Sequence, residues 1–309
     1  LAFPLKDEKD IMKRHDIVDE LMNNENISSC LTKEINKIGD LERLISKVAT
    51  LRLNPRECER LKEALIALEP IKKVCAKSKL KVLKDISQAL HPCSDISDKI
   101  QKELAVNPPL LVNKGNVINE GVNKELDELR FIKFSGKEYL NKMLQREIKK
   151  TGIQSLKISF NNVFGYYLEV RNTHKNKVPK EWIRKQTLVN AERYITEELK
   201  EYEYKILSAQ EKIILIENKL FQDLIHSMLD SISTIQNNAQ IIAELDCLLS
   251  FSKIAFNNNY SKPNINSSSE LKIIKGRHPV IENKLDAGDY YIPNDIYLDR
   301  HRQQIMMIT

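Results

Sequence analysis

Neither glycine nor proline occurs between Pro179 and Pro263. Within that unbroken stretch Tyr194, Ile195, Leu199, Tyr202, Ile206, Leu207, Ile213, Ile214, Leu220, Phe221, Leu224, Ile225 and Met228 recur mostly at steps of three and four, the spacing of one helix face. With Asn190 as N-cap, the pattern predicts a helix over 191–228, roughly 60 Å long at ~1.5 Å per residue. That is a rod, well beyond an ordinary globular helix. A second apolar series, Leu126, Leu129, Ile132, Leu140, Met143, Leu144 and Ile148, predicts another long helix over 123–150, stopped by Gly152. Gly136 weakens its middle by about 1 kcal/mol relative to alanine and is read as the place of a bend.

Between the rods the period changes from about 3.6 to 2. Leu156, Ile158 and Phe160 alternate with polar neighbours, then Phe164, Tyr166, Leu168 and Val170 do the same, so two strands are expected with Asn161-Asn162 as the hairpin turn. Residues 183–189 supply a third strand before Asn190 starts the outgoing helix. The expectation is a small antiparallel sheet at the tip of two long helices.

Charge is concentrated in the same place. From Lys149 to Arg193 there are ten basic residues (Lys149, Lys150, Lys157, Arg171, Lys175, Lys177, Lys180, Arg184, Lys185 and Arg193) against three acids (Glu169, Glu181 and Glu192). The rest of the chain carries 39 basic and 40 acidic side chains, so the whole net charge of +6 arises in this segment. A cationic surface interleaved with Phe160, Tyr166, Tyr167 and Trp182 attracts polyanions, and nucleic acid is the natural ligand. Arg184, Lys157, Lys175 and Lys177 are singled out on charge alone. The competing reading is a solvated charged face.

Residues 11–21, 41–51 and 57–68 read as further helices, with Asn54-Pro55 and Glu69-Pro70 as breaks, since the residue before proline is pushed away from helix. A new α/β unit is expected after the Asn257 to Asn259 and Ser267 to Ser269 tracts, where Leu271-Lys272-Ile273-Ile274 and Gly276-Arg277-His278-Pro279 precede an apolar strand at 305–308. Only 8 glycines in 309 residues and 30% charged side chains fit a mainly α chain rather than a barrel or a doubly wound sheet. The five cysteines, Cys30, Cys58, Cys75, Cys93 and Cys247, form no C-x-x-C pair, so a disulfide framework or zinc ribbon is not expected and a cytoplasmic location is. No uncharged apolar run reaches the ~18 residues a membrane span needs. The first residue is Leu1 rather than Met, and the chain is expected to be a piece of something longer.

Three ordered stretches resemble the MutS family of DNA mismatch-repair ATPases. The first is Ile38-Gly39-Asp40-Leu41-Glu42-Arg43. The second runs from Lys157-Ile158-Ser159-Phe160-Asn161-Asn162-Val163-Phe164-Gly165-Tyr166-Tyr167 through Arg184-Lys185-Gln186-Thr187-Leu188 and Asn190-Ala191-Glu192-Arg193-Tyr194 to Glu198-Leu199-Lys200-Glu201-Tyr202-Glu203. The third is Gly276-Arg277-His278-Pro279-Val280 with Tyr291-Ile292-Pro293-Asn294-Asp295. The resemblance implies a mainly α architecture: a core/lever domain over 1–153, a DNA-binding clamp over 154–190, the returning lever helix over 191–255, and the truncated start of an α/β P-loop ATPase domain over 256–309.

It further implies that Asn161, Lys185 and Asn190 touch the backbone of double-stranded DNA, although a turn-forming role for Asn161 and a helix-capping role for Asn190 stay open. Val189 stands where relatives often carry lysine, so one phosphate contact is expected to be missing. Tyr291 would stack on adenine with Ile292 beside it, and His278-Pro279 is read as structural. The glycine-rich phosphate loop would follow Thr309 and the mismatch-reading Phe-x-Glu domain would precede Leu1. No catalytic residue, metal site or cofactor is therefore expected in this piece, whereas ATP and Mg²⁺ are expected in the full-length protein. The parent is expected to be a homodimer that meets a MutL-type repair factor, and this piece a monomer without preference for mismatches. The alternative reading is a coiled-coil scaffold or protein-interaction arm. No Ser/His/Asp set or metal-ligand spacing supports an autonomous enzyme.

Overall fold

A computed structural model describes residues 4–307 apart from 162, 164, 287 and 288. The chain opens with six helices: α1 (Glu8–Asn23), α2 (Glu25–Ile38), α3 (Leu41–Ala49), α4 (Pro55–Lys77), α5 (Lys81–Ala89) and α6 (Ser94–Glu103). Then come α7 (Lys124–Thr151), four strands, β1 (Lys157–Asn161), β2 (Gly165–Arg171), β3 (Ile183–Thr187) and β4 (Ala191–Ile195), and α8 (Glu197–His226). The remainder is α9 (Ile232–Asn257), β5 (Leu271–Gly276), α10 (Pro279–Glu282) and β6 (Asn294–Leu298). The mainly α expectation with one small antiparallel sheet is met. The residues form two compact units, Asn24–Ser250 and Leu1–Asn23 with Phe251–Thr309.

In the larger unit, local chemistry sets the helix starts. Asn54 accepts the Glu57 backbone N–H at 3.0 Å while the Glu57 carboxylate accepts the Asn54 N–H at 3.3 Å. With Pro55 as the first helical residue, this reciprocal cap starts α4 as the sequence predicts. The break at Glu69-Pro70 does not occur: α4 runs through Pro70 to Lys77. The carbonyl that Pro70 cannot bond belongs to Ile66, a residue 51% exposed on the solvent side of α4. On the opposite side Leu61, Leu65, Leu68, Ile71 and Cys75 are fully buried, so both halves are held in one line by packing.

The two rods are present and pack on each other. Asn123 caps α7 by accepting the Leu126 N–H at 2.9 Å, and Gly152 ends it in the left-handed region at φ 67°. The helix passes through Gly136 without interruption, and a Cβ there would collide with the Tyr202 hydroxyl of α8. Tyr139 stacks on Tyr202 at 4.5 Å, Arg130 bonds Glu217 and Arg146 bonds Glu198, so residue numbers rise on one helix as they fall on the other. The pair is antiparallel.

The outgoing helix starts later than its apolar spacing implies. Residues 191–195 form β4, and Thr196 caps α8 by accepting the Leu199 N–H at 3.2 Å. Asn190 is not a helix cap. Ile195 and Leu199 stand four apart and mimic a helix face, but a ladder on each side holds 191–195 extended.

In the smaller unit β5 and β6 pair antiparallel, with Leu271 opposite Leu298. The expected strand at 305–308 is not formed over 305–307, and Ile308 lies outside the described residues. Ile305 and Met307 are 83% and 88% exposed, and no described strand lies beside them to supply a ladder. Asn162 and Phe164 of the expected hairpin also lie outside the described residues.

Candidate nucleic-acid interface

The sheet at the ends of α7 and α8 has strand order β1-β2-β4-β3. Leu168 and Val170 of β2, Tyr194 of β4 and Trp182 close over Met143 of α7, Leu199 of α8, Ile153 and Leu156 in one buried cluster. This small core fastens the sheet to both rods.

Cross-strand register then arranges the charges. Lys157 lies opposite Glu169, Glu169 opposite Arg193, and Arg193 opposite Gln186, a row across all four strands. Arg193 pairs with Glu169 at 3.5 Å, donates to Gln186 at 2.8 Å and covers the Tyr167 ring at 4.4 Å. Arg184 pairs with Glu192 at 3.4 Å, and Lys150 with Glu181 at 2.8 Å. All three acids of the basic segment are thereby used. Lys149, Lys157, Arg171, Lys175, Lys177, Lys180 and Lys185 are exposed, with no ion-pair partner among the described residues. The positive excess seen in the sequence is thus a surface property of the folded sheet.

The pair Glu192 and Tyr194 carries a pH dependence. A hydrogen bond from the Tyr194 hydroxyl, then the nearby Arg184 charge, hold the Glu192 carboxyl below the ordinary carboxylate value. Burial and that same bond push the Tyr194 hydroxyl up to about 12. A depressed folded pKa means the contribution to stability is complete above the unfolded value and is lost as pH falls through the folded one. Trp182 is the sole tryptophan and packs 6.1 Å from the Tyr194 ring. Its emission is expected to report loosening of the sheet as pH falls below about 4.5, and Glu192→Gln is expected to flatten that dependence. An unchanged acid profile in Glu192→Gln contradicts the assignment.

The residues expected from the sequence do not form one cluster. The start of β1, the end of β2, the end of β3 and the start of β4 share one end of the sheet, which carries Lys157, Asn190 and the 3-10 turn Asn172–Lys177 with Lys175 and Lys177. Arg184 and Lys185 lie on β3, an edge strand. The β3–β4 register shifts between Arg184 and Gln186, so Lys185 is the extra residue of a bulge, a feature that turns a side chain out of the ladder. Asn161 stands at the other end, opposite Gly165, about 13 Å along β1 from Lys157.

Asn161 accepts the Val163 N–H at 2.8 Å, so its turn-forming role is real. Arg171, one of five basic residues of this segment outside the expected contact set, lies exposed at the end of β2, a place that only the register reveals. Tyr291 and the 78% exposed Ile292 lie in the other unit, in the irregular segment just before β6.

The profile of the family described as MutS domain III matches residues 1–252. The chain belongs to the MutS family. All 309 residues align with proteins named DNA mismatch repair protein MutS from Parabacteroides distasonis at 55% identity, Phocaeicola vulgatus at 54% and Flavobacterium psychrophilum at 55%. In each case the alignment covers 100% of this chain and 36% of the relative, so this MutS chain spans about a third of the length of the curated relatives it matches. Among the described residues no helix is long and apolar enough to cross a membrane.

Proposed function

We propose that this chain is the lever and clamp portion of a DNA mismatch-repair ATPase, and that its sheet holds duplex DNA by the phosphate backbone without reading sequence. The observation that carries the reading is the set of exposed cations on the sheet and its loops that remain after Glu169, Glu181 and Glu192 are paired. In this reading Lys157, Lys175, Lys177, Arg184, Lys185 and Asn190 touch phosphates, and Asn161 both shapes its turn and offers an amide to the duplex. Such contacts fix position and carry no base information. The residues 1–153 and 196–255 serve as core and lever, with 154–195, β4 included, as the DNA-contacting part and 256–309 as the opening of the nucleotide-binding domain.

The complete protein, in the same reading, works in the cytoplasm as a homodimer that hydrolyses ATP with Mg²⁺ and engages a MutL-type factor. In the same reading the half-buried Tyr291 would stack on adenine, with the exposed Ile292 beside it. Nucleotide-driven motion would travel along α7 and α8 as a rigid-body movement. The paired helices and their packed sheet core support that route.

Titrating this chain with matched and mismatched duplexes tests the reading. Equal affinity within about twofold is expected, and a tenfold preference for the mismatch contradicts backbone-only contact. In the complete protein ATP is expected to change duplex affinity; unchanged affinity rejects the lever.

A further inference from the structure

Away from the sheet, the charge of the chain balances in sum but not in place. From Lys72 to Lys84 there are six lysines, Lys72, Lys73, Lys77, Lys79, Lys81 and Lys84, and no acid. The first two are engaged within the fold: Lys72 donates to the Leu90 carbonyl at 2.8 Å and Lys73 pairs with Glu69 at 3.1 Å. The other four are exposed at the corner where α4 ends and α5 begins, with no ion-pair partner among the described residues. Asp85, the next acid along the chain, is itself exposed and pairs with none of them. The corner is firmly seated, since Leu83 is fully buried, Ser78 is buried and α5 packs on α4. Stability does not account for these cations. Lys81 is the first residue of α5, whose first turn holds no acid and whose N-cap, Leu80, gives no side-chain bond. A helix N-terminus favours an anion, yet Lys79, Lys81 and Lys84 place positive charge beside its positive end.

We propose that the α4–α5 corner is a second polyanion-binding surface, on the helical body rather than the sheet, and that its ligand is the phosphate backbone of duplex nucleic acid. A single small anion cannot meet four ammonium groups spread over two helix ends and a turn, whereas a polymer of closely spaced charges can. Between Ile66 and Val106 no large hydrophobic side chain is exposed among the described residues, so an acidic protein would find no apolar anchor. No aromatic residue occurs from 71 to 90, so the unstacked bases of a single strand would find no platform. Lysine point charges with neither feature suit a duplex backbone held regardless of sequence. The corner does not depend on the sheet, and each surface acts with the other removed.

Lysine acetylation footprinting of this chain, read by mass spectrometry with and without a matched duplex at low salt, tests the corner directly. Polyglutamate at the same charge concentration serves as the second probe. Duplex is expected to slow acetylation of Lys77, Lys79, Lys81 and Lys84 severalfold, and polyglutamate to slow it less. The triple variant Lys79→Gln/Lys81→Gln/Lys84→Gln is expected to bind duplex about tenfold more weakly, with the slope of log K against log salt reduced by about 2 to 3. Arginine at the same three positions keeps the charge and is expected to hold affinity within about twofold of wild type. Unchanged acetylation at the corner, with Lys175 and Lys185 protected, overturns the proposal and leaves the sheet reading standing. The reverse pattern overturns the sheet reading alone, and protection of neither overturns both. Stronger protection by polyglutamate assigns the corner to an acidic protein and overturns the duplex as its ligand. The footprint is taken on the wild type, so it decides even where a variant loses its fold.

Discussion

Arg130→Ala is expected to destabilise the larger unit by about 3–5 kcal/mol, read as a lower urea midpoint by far-UV circular dichroism. Glu217 of α8 is fully buried, and one of its oxygens accepts from Arg130 of α7 and from the Asn116 N–H at 3.1 Å. Its other oxygen has no partner among the described residues. Arg130 also donates to the Ile118 carbonyl at 2.7 Å and pairs with Asp127 at 3.6 Å. This knot joins both long helices to the loop at 115–118. Removing the arginine leaves an uncompensated carboxylate in a site that water does not reach, and that penalty sets the size of the effect. Replacing both partners, as Arg130→Met with Glu217→Leu, is expected to recover most of the loss, because neither charge then needs a partner. A loss under about 1 kcal/mol for Arg130→Ala means the knot is already solvated.

Reversing charge on the β3 edge, Arg184→Glu with Lys185→Glu, is expected to weaken duplex binding about a hundredfold or more at ~0.1 M salt. The two positions contribute by different routes. Lys185 projects from the bulge with no acidic partner among the described residues, so its change acts on DNA directly. Arg184 is held by Glu192, and a glutamate there places like charge beside a buried carboxylate. Lys185→Glu alone, expected to cost about tenfold, separates the two effects because it leaves that pair intact. Binding within twofold of wild type by the double variant, with normal Trp182 emission, removes the β3 edge from the interface.

The rods were legible in the sequence where their ends carry chemistry. Asn123 and Gly152 bracket α7 by a side-chain cap and a left-handed stop, both local devices. The first hairpin was legible because a period of two is a local signal. The start of α8 was not, since Tyr194, Ile195 and Leu199 satisfy a helical spacing and only the flanking ladders make 191–195 a strand. Helices α2, α5 and α6 had no separate signal strong enough to bound them, and α9 is apolar enough that no single stripe stands out. Pro70 misled because its missing bond falls on the exposed side of α4, at Ile66, while the buried face continues unbroken.

For the site, the location of charge was visible in composition, but its pairing was not. Glu169, Glu181 and Glu192 are separated in sequence from Arg193, Lys150 and Arg184, and register or tertiary packing joins them. The same register puts Asn161 and Asn190 at opposite ends of the sheet, so the two asparagines cannot serve one contact. A duplex held by both must run along the sheet rather than meet a single point.

The central claim is that unpaired cations on this sheet hold a polyanion, and the salt dependence of duplex affinity measures it most directly. Each phosphate neutralised is expected to contribute about 0.9 to the slope of log K against log salt, and the exposed unpaired cations lead to a slope between about −3 and −6. A slope flatter than about −1, with affinity indifferent to added salt, contradicts the account.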